Sequence, residues 1–258
     1  MAIVNVTPDS FSDGGRHDSV DRALAHALSC VDDGAAILDI GGESTRPGAA
    51  AVSPAEEQDR VLPVIERLSK ETDALISIDT YRAETARLAV AGGAHIINEV
   101  HGLQREPEIA AVAAESGAGV CIMHTGRDRQ KLPDLIADQA FFFERSLQIA
   151  DNAGIDRQTV VLDPGFGFAK DRFEDVELMA RFAELHALGF PLLAGTSRKR
   201  FIGTITGVEQ ASDRDFGTAA TTVILRLAGA AIFRVHNVKA NCSALAMADA
   251  VLAATAKT

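Results

Sequence analysis

Residues 197 to 200 read SRKR, a hydroxyl followed by three consecutive cations, set between the apolar runs FPLLAG (190–195) and FIG (201–203). Such a cluster is either a solvated turn or an anion site. Arg234 and His236 in AIFRVH (231–236) are spaced by two, so a strand would carry both on one face and Phe233 with Val235 on the other. An arginine turned toward an apolar layer is costly, so that face must meet something polar. Either the pair looks into a site, or Arg234 pairs with a buried carboxylate such as Asp163. A third cation, Arg46, sits in GGESTRPG (41–48), where glycines free the backbone, Thr45 adds a hydroxyl, Arg46 offers a fork that fits phosphate, and Pro47 with Gly48 turns the chain. Acids balance these cations. Asp163 opens DPGFGFAK (163–170), and a carboxylate beside phenylalanines suits a flat nitrogenous ring, since its oxygens accept two parallel hydrogen bonds from a ring N–H and an exocyclic amine. Phe166 and Phe168 fit equally well as lids over a core.

Most of these residues end a short apolar run. Eight such runs recur: 2–7, 36–40, 74–79, 95–100, 119–124, 159–163, 190–195 and 231–236. Segments of helical period lie between them. Val20, Ala23, Leu24, Ala27, Leu28 and Val31 make one stripe, with Asp18 or Ser19 as the expected cap and Gly34 after its end. In SPAEEQDRVLPVIERL, Ser53 is the expected N-cap, Pro54 takes the first helical position and Glu56 completes a capping box ahead of the stripe Val61, Val64, Ile65 and Leu68. Pro63 should bend that helix or cost about 3 kcal/mol. Ser212 and Asp215 mark a further helix start. Eight alternations with no linker or repeat predict one domain over residues 1–258, a (β/α)8 barrel, with an open doubly wound sheet as the alternative.

Barrel enzymes carry their chemistry at the C-terminal ends of the strands. Those ends supply Asn5, Asp39, Asp79, Asn98 with Glu99, His124, Asp163, Ser197 with Lys199, and Arg234 with His236. The loops after the seventh and eighth strands are where such barrels bind phosphate, which turns SRKR toward the anion reading.

The bulk composition narrows the partners. A net charge of −11 disfavours nucleic acid and anionic membrane surfaces. Three scattered cysteines suggest neither a disulfide framework nor a zinc site. The opening MAIVNVTPDSF has no basic stretch and no long apolar region, so a cytoplasmic protein with small-molecule substrates is expected.

Taken in order, NVTPDSFSDGG, DIGGESTRPG, SIDT, IINEVHG, DPGFGFAK, TSRKRFIG and RVHNV resemble the dihydropteroate synthases, from residue 1 to about residue 240. The resemblance implies a (β/α)8 pterin-binding barrel that joins 4-aminobenzoate to (7,8-dihydropterin-6-yl)methyl diphosphate in folate synthesis. It also implies magnesium as cofactor, sulfonamides as inhibitors and a homodimer built through the last helices. By motif, Asp79, Asn98, Asp163 and Lys199 would surround the pterin. Asn5, Thr45, Arg46, Arg234 and His236 would receive the diphosphate, with Asn5 also meeting the metal. Pro47, Phe168, Lys199 and Arg200 would border the aminobenzoate, and catalysis would rest on Arg46, Asp79, Lys199, Arg234 and His236.

Four departures stand out: Glu99 where the family has Asp, Arg200 where Ser is frequent, Asn237 where Asp is usual, and no proline in IMHTGRDRQKL. Three rivals are weighed: a pterin-binding methyltransferase barrel, which needs no diphosphate site; a retired paralogue that only binds; and a phosphate-barrel isomerase using His124 as base.

Overall fold

Eight parallel strands close into a ring with helices outside it, and the computed structural model describes residues 1–7, 16–43 and 52–255. In chain order the elements are β1 (Ala2–Asn5), α1 (Arg16–Asp32), β2 (Ile37–Gly41), α2 (Pro54–Glu71), β3 (Leu75–Asp79), α3 (Ala83–Ala91), β4 (Ile96–Glu99), α4 (Glu108–Ser116), β5 (Gly119–Met123), α5 (Leu135–Ala153), β6 (Val160–Asp163), α6 (Arg172–Ala180), β7 (Leu193–Ala194), α7 (Arg200–Thr206), α8 (Asp215–Leu227), β8 (Ile232–Phe233) and α9 (Val238–Thr255). Strands β1 to β6 form a six-stranded sheet in sequence order, and β7 pairs with β8. Single parallel bridges, Leu162 to Leu192 and Ala2 to Val235, join the two pieces at both seams. The ring is therefore a (β/α)8 barrel, not an open sheet.

Period-two alternation builds its wall. Leu38, Ile40, Ile76, Ile78, Ile97 and Ile122 are fully buried, while the intervening Asp39, Ser77 and Cys121 turn the other way, into the lumen. On α2 the predicted stripe of Val61, Val64, Ile65 and Leu68 is fully buried, and this outweighs the local cost of Pro63, since the helix runs on to Glu71.

Three boundaries differ from the sequence expectation. Helix α1 begins at Arg16, so Asp18 and Ser19 lie inside it. The Ser53 hydroxyl accepts from the Glu56 N–H at 3.2 Å, but the Glu56 carboxylate pairs with Arg60, so the reciprocal half of the box is not made. Ser212 lies in a 3-10 turn, Ala211–Arg214, that precedes α8.

Candidate active site at the barrel mouth

Strand register sets the floor of the site. Asn5 pairs with Gly41, Gly41 with Asp79 and Asp79 with Asn98, so four strand ends stand level across a quarter-turn or more of the rim. Glycine at 41 keeps the row open, because a Cβ there would lie 3.5 Å from the Asp79 Cβ and 3.8 Å from the Asn5 Oδ1.

Arg234 reaches across this floor from the far seam. Its Nε donates to Asp39 Oδ2 at 2.6 Å and one terminal nitrogen to Asp79 Oδ2 at 2.7 Å. The sequence offered Asp163 as its buried partner; the actual partners are Asp39 and Asp79. Asp39, fully buried, also accepts from the Ser77 hydroxyl at 2.6 Å and the Asn98 amide at 3.0 Å. The sequence placed Asp39 at a strand end without giving it a role, although a lone carboxylate opposite Leu38 and Ile40 in ILDIG was the available signal. Burial pushes Asp79 up to about 7 against the pull of Arg234. Burial would lower the Arg234 pKa, but Asp39 and Asp79 hold it above the ordinary arginine value.

Asp163 and Lys199 form the opposite side. Asp163 is buried, and burial raises its pKa while Lys199 and the Gly165 N–H pull it down. Its Oδ1 accepts from that N–H at 2.7 Å. Burial lowers Lys199 to about 8, with Asp163 opposing. The Lys199 ammonium donates to the Phe166 carbonyl and lies 4.8 Å from the centre of the Phe168 ring. The two phenylalanines have separate fates. Phe166 is fully buried, stacked between Phe182 and Phe201, and so is core; Phe168 stays half-buried at the mouth, with Arg127 also over its ring at 4.7 Å.

The basic triplet divides three ways. Arg198 turns away and pairs with both oxygens of Asp215, at 2.7 and 2.9 Å. Lys199 enters the mouth, and Arg200 stands exposed at the start of α7. Ser197 belongs with His236: its Oγ accepts the His236 backbone N–H at 3.1 Å and lies 2.9 Å from Nδ1. The Ser197 hydroxyl thus holds both the backbone and the ring of His236 in place. Cations thus converge from β7 and β8 and carboxylates from β2, β3 and β6.

The chain is similar to known proteins over almost its whole length. The family model described as "Pterin binding enzyme" matches residues 1–236. The dihydropteroate synthase of Bacillus subtilis is 47% identical over 252 residues, covering 98% of this chain and 88% of that protein. The chain belongs to the dihydropteroate synthase family. Two crystal structures of such synthases agree in fold. The Clostridium difficile enzyme with pteroic acid superposes with a TM-score of 0.94 at 45% identity, over 97% of this chain and 95% of that one. The Xanthomonas albilineans enzyme with 4-aminobenzoic acid does so at 0.93 and 45%, over 98% and 92%.

Three of the four departures from the synthase pattern find physical roles here. Glu99 is buried and its two oxygens accept the N–H groups of His101 and Leu103, so the longer acid closes the turn after β4; burial pushes it up to about 7. Asn237 donates to Asp215 at 2.8 Å and accepts from Ala240 N at 3.1 Å, ending the same cluster that holds Arg198. Nothing in the structure explains arginine at 200. The loop without proline sends Arg127 over Phe168 and Arg129 onto Asp138. His124 is fully buried against Asp138 and Lys170, which removes it as a base open to the mouth. Thr45, Arg46 and Pro47 lie outside the described residues. Their stem is held: Arg82 pairs with Glu43 and Glu57 and donates to the Val52 carbonyl, contacts no sequence pattern announced.

Magnesium has a restricted fit. Among the described residues no group of three His, Cys, Asp or Glu side chains is arranged to hold an ion. Asn5 supplies one hard amide oxygen beside the open place at Gly41, which suits a magnesium ion carried in on diphosphate oxygens and water rather than caged by protein.

Proposed function

We propose that the barrel mouth joins (7,8-dihydropterin-6-yl)methyl diphosphate to 4-aminobenzoate, giving 7,8-dihydropteroate and pyrophosphate. Family membership gives the chain the activity of a dihydropteroate synthase, a transferase of folate biosynthesis. The observation that carries the residue assignment is the split of charge across one mouth, with Asp163 on β6 facing the cations that β7 and β8 deliver.

Asp163 and Asn98 hold the pterin edge, and Asp79 and Asp163 put negative charge near a ring that becomes cationic. The bond between the methylene carbon and the diphosphate oxygen breaks first, its electron pair leaving with the oxygen. The aniline nitrogen then bonds the methylene carbon and loses a proton. His236, Arg234, Thr45 and Arg46 receive the diphosphate, and Lys199, Phe168, Pro47 and Arg200 border the acceptor. Charge placed where it develops is the whole of the protein's task, so no covalent nucleophile is required. Asn5 would hold a magnesium ion, which when bound would supply positive charge to the diphosphate.

The same reading extends to assembly. Phe216 is 92% exposed on α8, and Ile205, Ile224, Leu227, Met247 and Val251 on α7 to α9 are also exposed, which supports a homodimer through the last helices. No helix among the described residues is long and apolar enough to cross a membrane, and the reading places the enzyme in the cytoplasm with small-molecule partners.

The deciding experiment measures pyrophosphate release and dihydropteroate formation with magnesium, with and without 4-aminobenzoate. Dihydropteroate appearing in step with pyrophosphate only when the amine is present is the expected result. Pterin binding with no dihydropteroate formed would overturn the assignment.

A further inference from the structure

The loop that follows Asp163 is held from behind by buried side chains. Gln139 donates to the Pro164 carbonyl at 3.1 Å, and Asp175 accepts the Gly167 N–H at 2.7 Å. The tightest point is Gly165. Its φ is +67°, and a Cβ there would sit 1.9 Å from the His124 carbonyl oxygen, so the backbone of the β6 loop lies directly on the end of β5. The His124 N–H donates to the Asp163 carbonyl at 2.8 Å and the Gly165 N–H to the Asp163 carboxylate at 2.7 Å.

Lys170 closes this arrangement. Only 9% exposed, its ammonium donates to the Gly165 carbonyl and to His124 Nδ1, both at 2.9 Å. Nε2 of the same ring lies 3.1 Å from Asp138 Oδ2 and 2.7 Å from a terminal nitrogen of Arg129. Asp138 is anchored in turn by the Leu132 N–H and Arg129, both 2.8 Å from its Oδ1. One face of the Gly165 peptide is thus fixed by Lys170 while the N–H of the same residue aims the Asp163 carboxylate.

We infer that Lys170, oriented by His124 and Asp138, is a positioning residue that sets the angle at which Asp163 meets the pterin. Sub-ångström placement of such a carboxylate decides ring binding, and a supporting shell with locked partners supplies it. The inference rests on Asp163 as the ring-holding group, and Lys170 bonds Gly165 and His124, neither of which is assigned to the diphosphate or the acceptor. The effect should therefore be confined to the pterin.

The test compares the full-length protein with Lys170→Met and Asp138→Asn, using calorimetry with 6-hydroxymethylpterin, which carries the ring and no diphosphate, and steady-state KM for 4-aminobenzoate. Lys170→Met should weaken the pterin at least tenfold and leave the KM for 4-aminobenzoate within twofold. Asp138→Asn keeps the shape but removes the charge that holds Arg129 and the His124 ring behind Lys170; it too should weaken the pterin, and it decides the matter if Lys170→Met does not fold. Unchanged pterin affinity in a folded variant, or an equal loss for both substrates, would overturn the inference. Asp163→Asn is run alongside. If it binds the pterin normally, the reading of Asp163 fails by itself; if it does not, adding Lys170→Met to it should weaken binding no further.

Discussion

Arg234 and Lys199 are both cations of the mouth, yet removing them should have unequal effects. Arg234→Ala leaves Asp39, fully buried, and Asp79, nearly so, without their shared partner, and breaking such a buried cluster destabilises by about 3 kcal/mol. Lys199→Ala removes one hydrogen bond to a carbonyl and should leave the urea midpoint almost unchanged while activity collapses. From sequence alone both substitutions are expected to spare stability; equal midpoints for the two would restore that view. His101 gives a second residue-scale test. Burial, with Arg105 beside it, lowers its pKa from 6.5 to about 4. Between those values the unfolded chain binds a proton that the folded chain does not, so the His101 contribution is complete above pH 6.5 and fades as pH falls toward 4. The stability gap between the parent and His101→Asn should narrow over that window in chemical denaturation; a gap independent of pH would contradict it.

At the scale of elements, the most local signals were the most legible. Ser53 and Pro54 announced the start of α2, and Ser53→Ala should lower stability by ~1 kcal/mol, read as a shifted urea midpoint with the same slope. All eight strands appear where apolar runs predicted them, because alternation along a half-buried strand is written residue by residue. The runs at 190–195 and 231–236 yield only two strand residues each, since ladder length depends on the neighbour's path as well as on composition. The candidate site was legible to the same degree. Strand-end polar residues were found from position alone, and Asp163 and Lys199 do come together on one side of the mouth. The partners of Arg234 lie 155 and 195 positions away in the chain and Arg82 reaches Glu43 across 39, and no local pattern encodes such contacts. His124 illustrates the difference: its strand-end position suggested a mouth residue, but its neighbours make it a wall residue, with burial lowering its pKa to about 3.

The whole molecule adds two properties. If the exposed apolar face of α8 joins two copies, Phe216→Asp should convert the dimer to a monomer in light scattering without loss of helix content; a parent that is already monomeric would remove the dimer. The other concerns the closure of the barrel. The strands at the seams are short: β7 and β8 pair over two residues and each meets the sheet at one bridged position, with three backbone hydrogen bonds between residues 233–235 and Met1 to Ile3, beside neighbours paired over three to five residues. Arg234 and His236, assigned to the leaving group, sit at the seam between β8 and β1, whereas the pterin contacts, Lys199 apart, stand on the continuous sheet. Amide hydrogen exchange should therefore be fastest in 192–194 and 232–235 among the strands, and pyrophosphate should slow it there far more than a pterin without diphosphate does. In that case the leaving group would act as the clasp of the barrel while it is bound, and its departure would return the ring to its looser state in the same step that frees the product.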